Sequence, residues 1–185
     1  MCKRYLSPLH LSKNENKYIL EAIRSNWSAP IGQFLDRFEK KITVYIGVKH
    51  ALCVSSGTAA IHLGLRVLGV KKNDIVLCQN FTFIGSVNPI IYCNAKPIFI
   101  GSESESWNMC PKILKATILK LKKTHKVPKA IIVVNLYGMQ AKMHDIQKIS
   151  NEQGCDYVID ATYGGILILA NFKDLMAELK VELGF

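Results

Sequence analysis

The chain has 185 residues, 49% of them hydrophobic, and its 24 Lys and Arg against 14 Asp and Glu give a formal charge of +10. That length and apolar content suit one domain with a sizeable core, and no uninterrupted apolar stretch reaches membrane-spanning length. The basic excess could favour nucleic acid, anionic lipid or phosphorylated small molecules. Its densest cluster, Lys115, Lys120, Lys122, Lys123 and Lys126, nevertheless alternates with Ile118, Leu119 and Leu121 as a solvated helix face does. With no groove-reading motif beside it and no spanning stretch in the chain, neither a nucleic-acid nor a membrane partner is expected.

The opening stretch MCKRYLSPLHLSKNE is too polar for a signal peptide. Lys13 to Ser25 has Tyr18, Ile19, Ala22 and Ile23 at helical spacing, and Asn26, Ser28, Pro30 and Gly32 end that pattern. Phe34 to Ile46 predicts a second helix through Phe34, Leu35, Phe38, Ile42 and Tyr45, with Gly47 as its C-cap. From there strands and helices alternate. The prediction is strand Ala51 to Val54, helix Thr58 to Leu68, strand Ile75 to Cys78, helix Thr82 to Tyr92 and strand Pro97 to Ile100. Helix Pro111 to Thr124, strand Ala130 to Val134, helix Met143 to Gln153 and strand Tyr157 to Ile159 follow. Short apolar strands separated by helices predict an α/β fold, a mostly parallel sheet with helices on both faces.

The cysteines, Cys2, Cys53, Cys78, Cys93, Cys110 and Cys155, have neither CxxC nor Cys/His spacing, so no metal site is expected. Cys53 and Cys78 sit in apolar runs as small hydrophobes, which fits a reducing cytoplasm.

The run Ser55-Ser56-Gly57-Thr58 joins a predicted strand to a predicted helix, and such a junction is an anion seat. First-turn N–H groups point outward, the helix dipole adds positive charge, and Gly57 admits a phosphate close to the backbone. The same residues also make an ordinary N-cap. Ligands of parallel sheets bind beyond the carboxyl ends of the strands, and that edge collects Ser56 to Thr58, Asn80 to Phe83, Asn135 to Gly138 and Asp160. Taken singly, Phe83 reads as a core residue, Asp160 as a cap and Asn135 as a turn residue; their shared edge argues for a site.

These segments carry a resemblance. SSGTAAIHLGL, Asn80 to Asn88, Asn135-Leu136-Tyr137-Gly138, Leu6-Ser7-Pro8 and Asn26 to Gly32 before Phe38-Glu39 together resemble the DegT/DnrJ/EryC1/StrS family of sugar aminotransferases. The resemblance runs over residues 5 to 160. It implies the large domain of a fold-type-I transferase that binds pyridoxal 5′-phosphate (PLP) and moves an amino group from glutamate to a nucleotide-linked keto-sugar, usually as a homodimer. By resemblance, Gly57, Thr58 and Ala59 cradle the cofactor phosphate, Phe83 stacks on its ring, and Asp160 faces the ring nitrogen. Asn135 lies near the cofactor, and the segment of Trp27 near the sugar nucleotide.

The chain also departs from the family. Where the family runs Glu-Asp-Ala-Ala, this sequence reads Val158-Ile159-Asp160-Ala161-Thr162-Tyr163. Either Asp160 matches the family Asp after a one-residue deletion, or that run is partly missing and Ala161 to Tyr163 match positions further on. Beyond Gly165 the resemblance stops, before the family's anchoring lysine and its small C-terminal domain. The expected organisation is therefore a partial PLP-binding domain over 1–165, with N-terminal helices over 1–50, then a divergent helical tail over 166–185. Lys173 and Lys180 in that tail read as solvated charge on an amphipathic helix rather than as the covalent anchor, so no catalytic residue is assigned. A noncatalytic module that keeps phosphate or partner binding is the alternative. A Rossmann nucleotide-binding enzyme is disfavoured, because no G-x-G-x-x-G follows the first strand.

Overall fold

A computed structural model describes residues 12–26, 32–161 and 166–170. The chain divides into two compact units, Met1–Cys53 and Val54–Phe185. In the first, α1 (Glu15–Arg24) begins with Glu15, whose carboxylate accepts the Ser12 N–H at 2.8 Å, and ends on Arg24, so both ends suit the helix dipole. Helix α2 (Gln33–Ile46) stops where predicted. Gly47 takes φ 76°, a left-handed conformation that glycine enters without cost, and donates its N–H to Thr43 O at 2.9 Å. Glu39 reaches from α2 to accept the Cys53 N–H at 2.7 Å.

The second unit is built on a sheet of β1 (Ile75–Gln79), β2 (Lys96–Ile100), β3 (Ala130–Val134), β4 (Asp156–Ala161) and β5 (Ile166–Ala170), in the order β2-β1-β3-β4-β5. The first four strands are parallel, with Leu77 beside Ile98 and Ile131, and Val134 beside Asp160. Strand β5 runs antiparallel to β4. Helix α3 (Gly57–Val67) leads into β1, while α4 (Asn88–Tyr92), α5 (Pro111–Lys123) and α6 (Met143–Gln153) connect the successive parallel strands. This is the mostly parallel, two-faced sheet that the alternation of elements predicts.

The period-two geometry of a strand sorts the core into two layers. Val76, Cys78, Ala130, Ile132 and Val134 face Ile61 and Leu65 of α3 and Ile90 of α4. Leu77, Ile131 and Val133 face the other way, toward Leu114 and Ile118 of α5 and Ile146 of α6. Strand β3, AIIVV, is buried throughout because it lies between two strands and between two helix layers. Each such Ile or Leu contributes roughly 1.5–3 kcal/mol by leaving water.

Three predicted elements differ. Ala51 to Val54 is not a strand. A strand exists by pairing, and no described strand lies beside these residues; Leu52 is left exposed. The predicted helix Thr82 to Tyr92 is split into a single 3₁₀ turn, Ile84–Ser86, and α4. Pro89 is the reason, since a residue without an N–H fits the first turn of a helix but not its interior. In the tail expected to be helical, Ile166–Ala170 is a strand. The amphipathic stretch 171–183, with Lys173 and Lys180, lies outside the described residues, as do Trp27 and its neighbours. Among the described residues, no helix is long and apolar enough to cross a membrane.

Candidate functional site

Helix α3 begins at Ser56, whose extended backbone (φ −162°, ψ 161°) lets its hydroxyl accept the Ala59 N–H at 3.1 Å while its carbonyl accepts the Ala60 N–H at 3.0 Å. The ordinary cap is therefore formed. It also divides the first turn: the Ala59 amide, assigned to the cradle by resemblance, is already bonded within the helix. The amides of Gly57 and Thr58 have no partner among the described residues. They are the groups at this helix end that remain to meet an anion.

The chain leaving the carboxyl end of β1 brings a second group to the same place. Phe83 is extended (φ −68°, ψ 140°), and the 3₁₀ turn after it carries Gly85 against α3. A Cβ built on Gly85 would lie 2.9 Å from Thr58 Oγ1 and 2.9 Å from Phe83 Cδ1. The threonine hydroxyl and the aromatic ring thus both occupy space that a side chain at position 85 would take. Phe83 is 65% exposed, so it is not the core residue that its apolar character alone suggests. Thr82 and Ser86 fasten the turn through their hydroxyls, 3.0 Å apart.

The other strand ends complete the edge. Asp160 lies beside Val134 in β4, one residue before Asn135 in the neighbouring strand's register. Asn135 does the work of a turn: its Oδ1 accepts the Ala141 N–H at 2.9 Å. Tyr137, two residues on, has φ 49° and a 65% exposed side chain, an uncommon backbone state for a bulky residue.

Two buried amides that the sequence reading passes over hold these loops in place. Gln79 ends β1 fully buried; its Oε1 accepts the Met109 N–H at 2.9 Å and its Nε2 donates to Phe81 O at 2.8 Å. Asn108, also fully buried, donates through Nδ2 to Met139 O at 2.8 Å and accepts the Leu136 N–H at 2.9 Å. Together they tie the loops after β1, β2 and β3 to one another. The one available signal is a glutamine closing the apolar run IVLCQ. Trp107, at φ 61°, is presented by the same arrangement and packs edge-on to Phe81 with ring centroids 5.9 Å apart.

Charge at this edge is fixed beside the aromatic residues. The Glu103 carboxylate accepts hydrogen bonds from the Ser106 hydroxyl and from the amides of Ser106 and Glu105. Those bonds, the Ser106 hydroxyl first, hold its carboxyl down at about 2. Lys142 lies 2.9 Å from Glu105 and 3.4 Å from Glu103, and these carboxylates push its pKa up, that of Glu105 most. Among the described residues no group of His, Cys, Asp and Glu could hold a metal ion.

Comparison with known proteins gives this geometry a context. The family model of the DegT/DnrJ/EryC1/StrS aminotransferase family matches residues 10–165. The chain is 49% identical over 159 residues to EpsN of Bacillus subtilis (strain 168), provisionally named a pyridoxal phosphate-dependent aminotransferase; the match covers 86% of this chain and 41% of that protein. It is 35% identical over 150 residues to the GDP-perosamine synthase of Vibrio cholerae, covering 81% and 39%. A DegT DnrJ EryC1 StrS aminotransferase from Brucella abortus superposes with a TM-score of 0.74 at 29% identity, over 79% of this chain and 40% of that one. The chain thus spans about two fifths of the length of these relatives. A family match over most of its residues, on a mostly parallel sheet of the expected kind, makes this chain a member of the DegT/DnrJ/EryC1/StrS aminotransferase family.

Proposed function

We propose that this chain forms the cofactor-holding part of a PLP-dependent aminotransferase whose substrate is a nucleotide-linked keto-sugar and whose amino donor is glutamate. The observation that carries the reading is the approach of both the Thr58 hydroxyl and the Phe83 ring to Gly85, at a helix end whose first two amides remain unpaired among the described residues. These groups fit a phosphorylated aromatic ring. The amides of Gly57 and Thr58 and the Thr58 hydroxyl would bind the phosphate, and Phe83 would lie against the ring. Ala59 contributes the shape of the turn rather than a hydrogen bond, because Ser56 holds its amide.

When bound, PLP supplies an electron sink for chemistry at an amino-bearing carbon. Asp160 is assigned, by resemblance and by its register position, as the carboxylate that keeps the ring nitrogen protonated. The lysine that anchors the cofactor is not assigned to any described residue. In this reading it comes from further polypeptide, in a dimer with the family's usual two-fold arrangement. The names of the relatives support a nucleotide-sugar substrate, since the Vibrio cholerae protein is a GDP-perosamine synthase. The thiol state of Cys53, Cys78, Cys93, Cys110 and Cys155 supports work in the cytoplasm.

Calorimetric titration of the 185-residue chain with PLP, with and without inorganic phosphate, tests the reading. Competitive binding of both, lost in Gly57→Val and not made permanent by borohydride, is the expected result. Absence of PLP binding overturns the cradle, and a borohydride-fixed adduct mapped to Lys173 or Lys180 overturns the assignment of the anchor elsewhere. Binding without any amino transfer when further polypeptide of a full-length relative is added would favour a noncatalytic binding module.

A further inference from the structure

We propose that the amino-terminal edge of the sheet, opposite the candidate site, is a docking surface for an anionic phospholipid membrane. Within the second unit, parallel topology sends the C-termini of α3, α4, α5 and α6 and every loop entering β1, β2 and β3 to this one edge. Lys71 and Lys72 lie in the loop before β1, Lys96 opens β2, and Lys126 and Lys129 lie in the loop before β3. All five are exposed, and none has an ion-pair partner among the described residues.

Complementing helix dipoles accounts for the basic residues in the last turns of α3 and α5 and for Lys129, whose Nζ would lie 3.8 Å from a Cβ built on Gly69 just past the end of α3, but not for Lys71, Lys72 and Lys96. Nor does the acidic complement neutralise them. Three carboxylates share this edge, Asp74, which accepts the Lys71 N–H at 2.8 Å, Glu152, which pairs with Lys115, and Asp156, which opens β4, and the five lysines outnumber them. The turns are closed by backbone bonds, Lys96 N–H to Asp74 O and Lys129 N–H to Ile75 O, both at 2.7 Å.

The composition favours lipid over nucleic acid. The charges are lysine ammonium groups, point charges suited to a diffuse anionic surface rather than planar forks for individual phosphates. Val127 stands 56% exposed between Lys126 and the buried Pro128, an apolar tip within the basic loop. Stacking residues for bases are at the wrong end: Phe81, Phe83, Trp107 and Tyr137 belong to the carboxyl-edge loops, and Tyr92 packs edge-on to His62. The surface is peripheral and separate from the cofactor reading, so either can fail without the other.

Sedimentation of the full chain with vesicles of phosphatidylcholine alone, or of phosphatidylcholine with phosphatidylglycerol, tests the proposal at low and high salt. The expected result is phosphatidylglycerol-dependent, salt-sensitive binding that falls roughly tenfold or more in a Lys72→Glu, Lys126→Glu double variant. A Lys40→Glu, Lys112→Glu variant of the same net charge should keep it, and Lys72→Arg with Lys126→Arg should restore it. Equal loss in both charge-reversal variants, no vesicle binding, or preferential binding of a DNA duplex from the same mixture would overturn it. Thermal melting of each variant, expected to match the parent, separates loss of binding from loss of fold.

Discussion

Thr58 and Phe83, 25 positions apart in the chain, both close on Gly85: a methyl group there would lie 2.9 Å from an atom of each. Gly85→Ala therefore acts on the site more than on the fold. The atoms it meets are the tip of a threonine and the ring of a 65% exposed phenylalanine, both free to swing outward. Stability by urea unfolding should fall by less than about 1.5 kcal/mol, while PLP or phosphate affinity drops roughly tenfold as the hydroxyl and ring are driven apart. A large loss of stability with unchanged affinity would place Gly85 in the core's service instead.

Asn108 should behave in the opposite manner. Its replacement by Ala leaves the buried Leu136 N–H without its acceptor and Met139 O without its donor. Two unpaired backbone groups cost about 2–4 kcal/mol, to be read as a lower urea midpoint with an unchanged slope. Gln79→Leu, which strands the Met109 N–H, should lose a comparable amount.

Glu103 predicts an acid dependence with a definite sign. Its folded carboxyl sits at about 2, below the ordinary 4.5, so its contribution to stability is complete above about pH 4.5. That contribution is lost as pH falls from there through about 2. Thermal melts of the parent and of Glu103→Gln should differ near neutrality and converge across that window. A difference that grows with acidification would contradict the hydrogen bonds assigned to the carboxylate.

The buried thiols should be inert. Cys78 has no exposure, and burial pushes its pKa up to about 12, so almost no thiolate exists at neutral pH. Cys93 and Cys155 are also buried and shifted upward by desolvation. Mass mapping after brief alkylation of the native chain should find these three unmodified, and the same treatment in denaturant should label them. Rapid native labelling of Cys78 would argue against the central position of β1.

What the sequence by itself determined was local. The run AIIVV ends where strand β3 ends, α6 has the predicted bounds Met143–Gln153, and Gly47 stops α2, because apolar period and glycine's left-handed freedom act within one element. The candidate edge was legible for the same reason, since turn residues after each strand mark its carboxyl end. Relations across the fold were decided by tertiary structure. Ala51 to Val54 has a strand's composition but no described neighbour to pair with, and Ser56 takes the Ala59 amide into the helix cap. Gln79 and Asn108 find partners about 30 residues away, at Met109, Leu136 and Met139. Hydrogen bonds of that span carry no sequence period, so only the folded chain shows that two buried amides hold the loops at the edge where Thr58 and Phe83 close on Gly85.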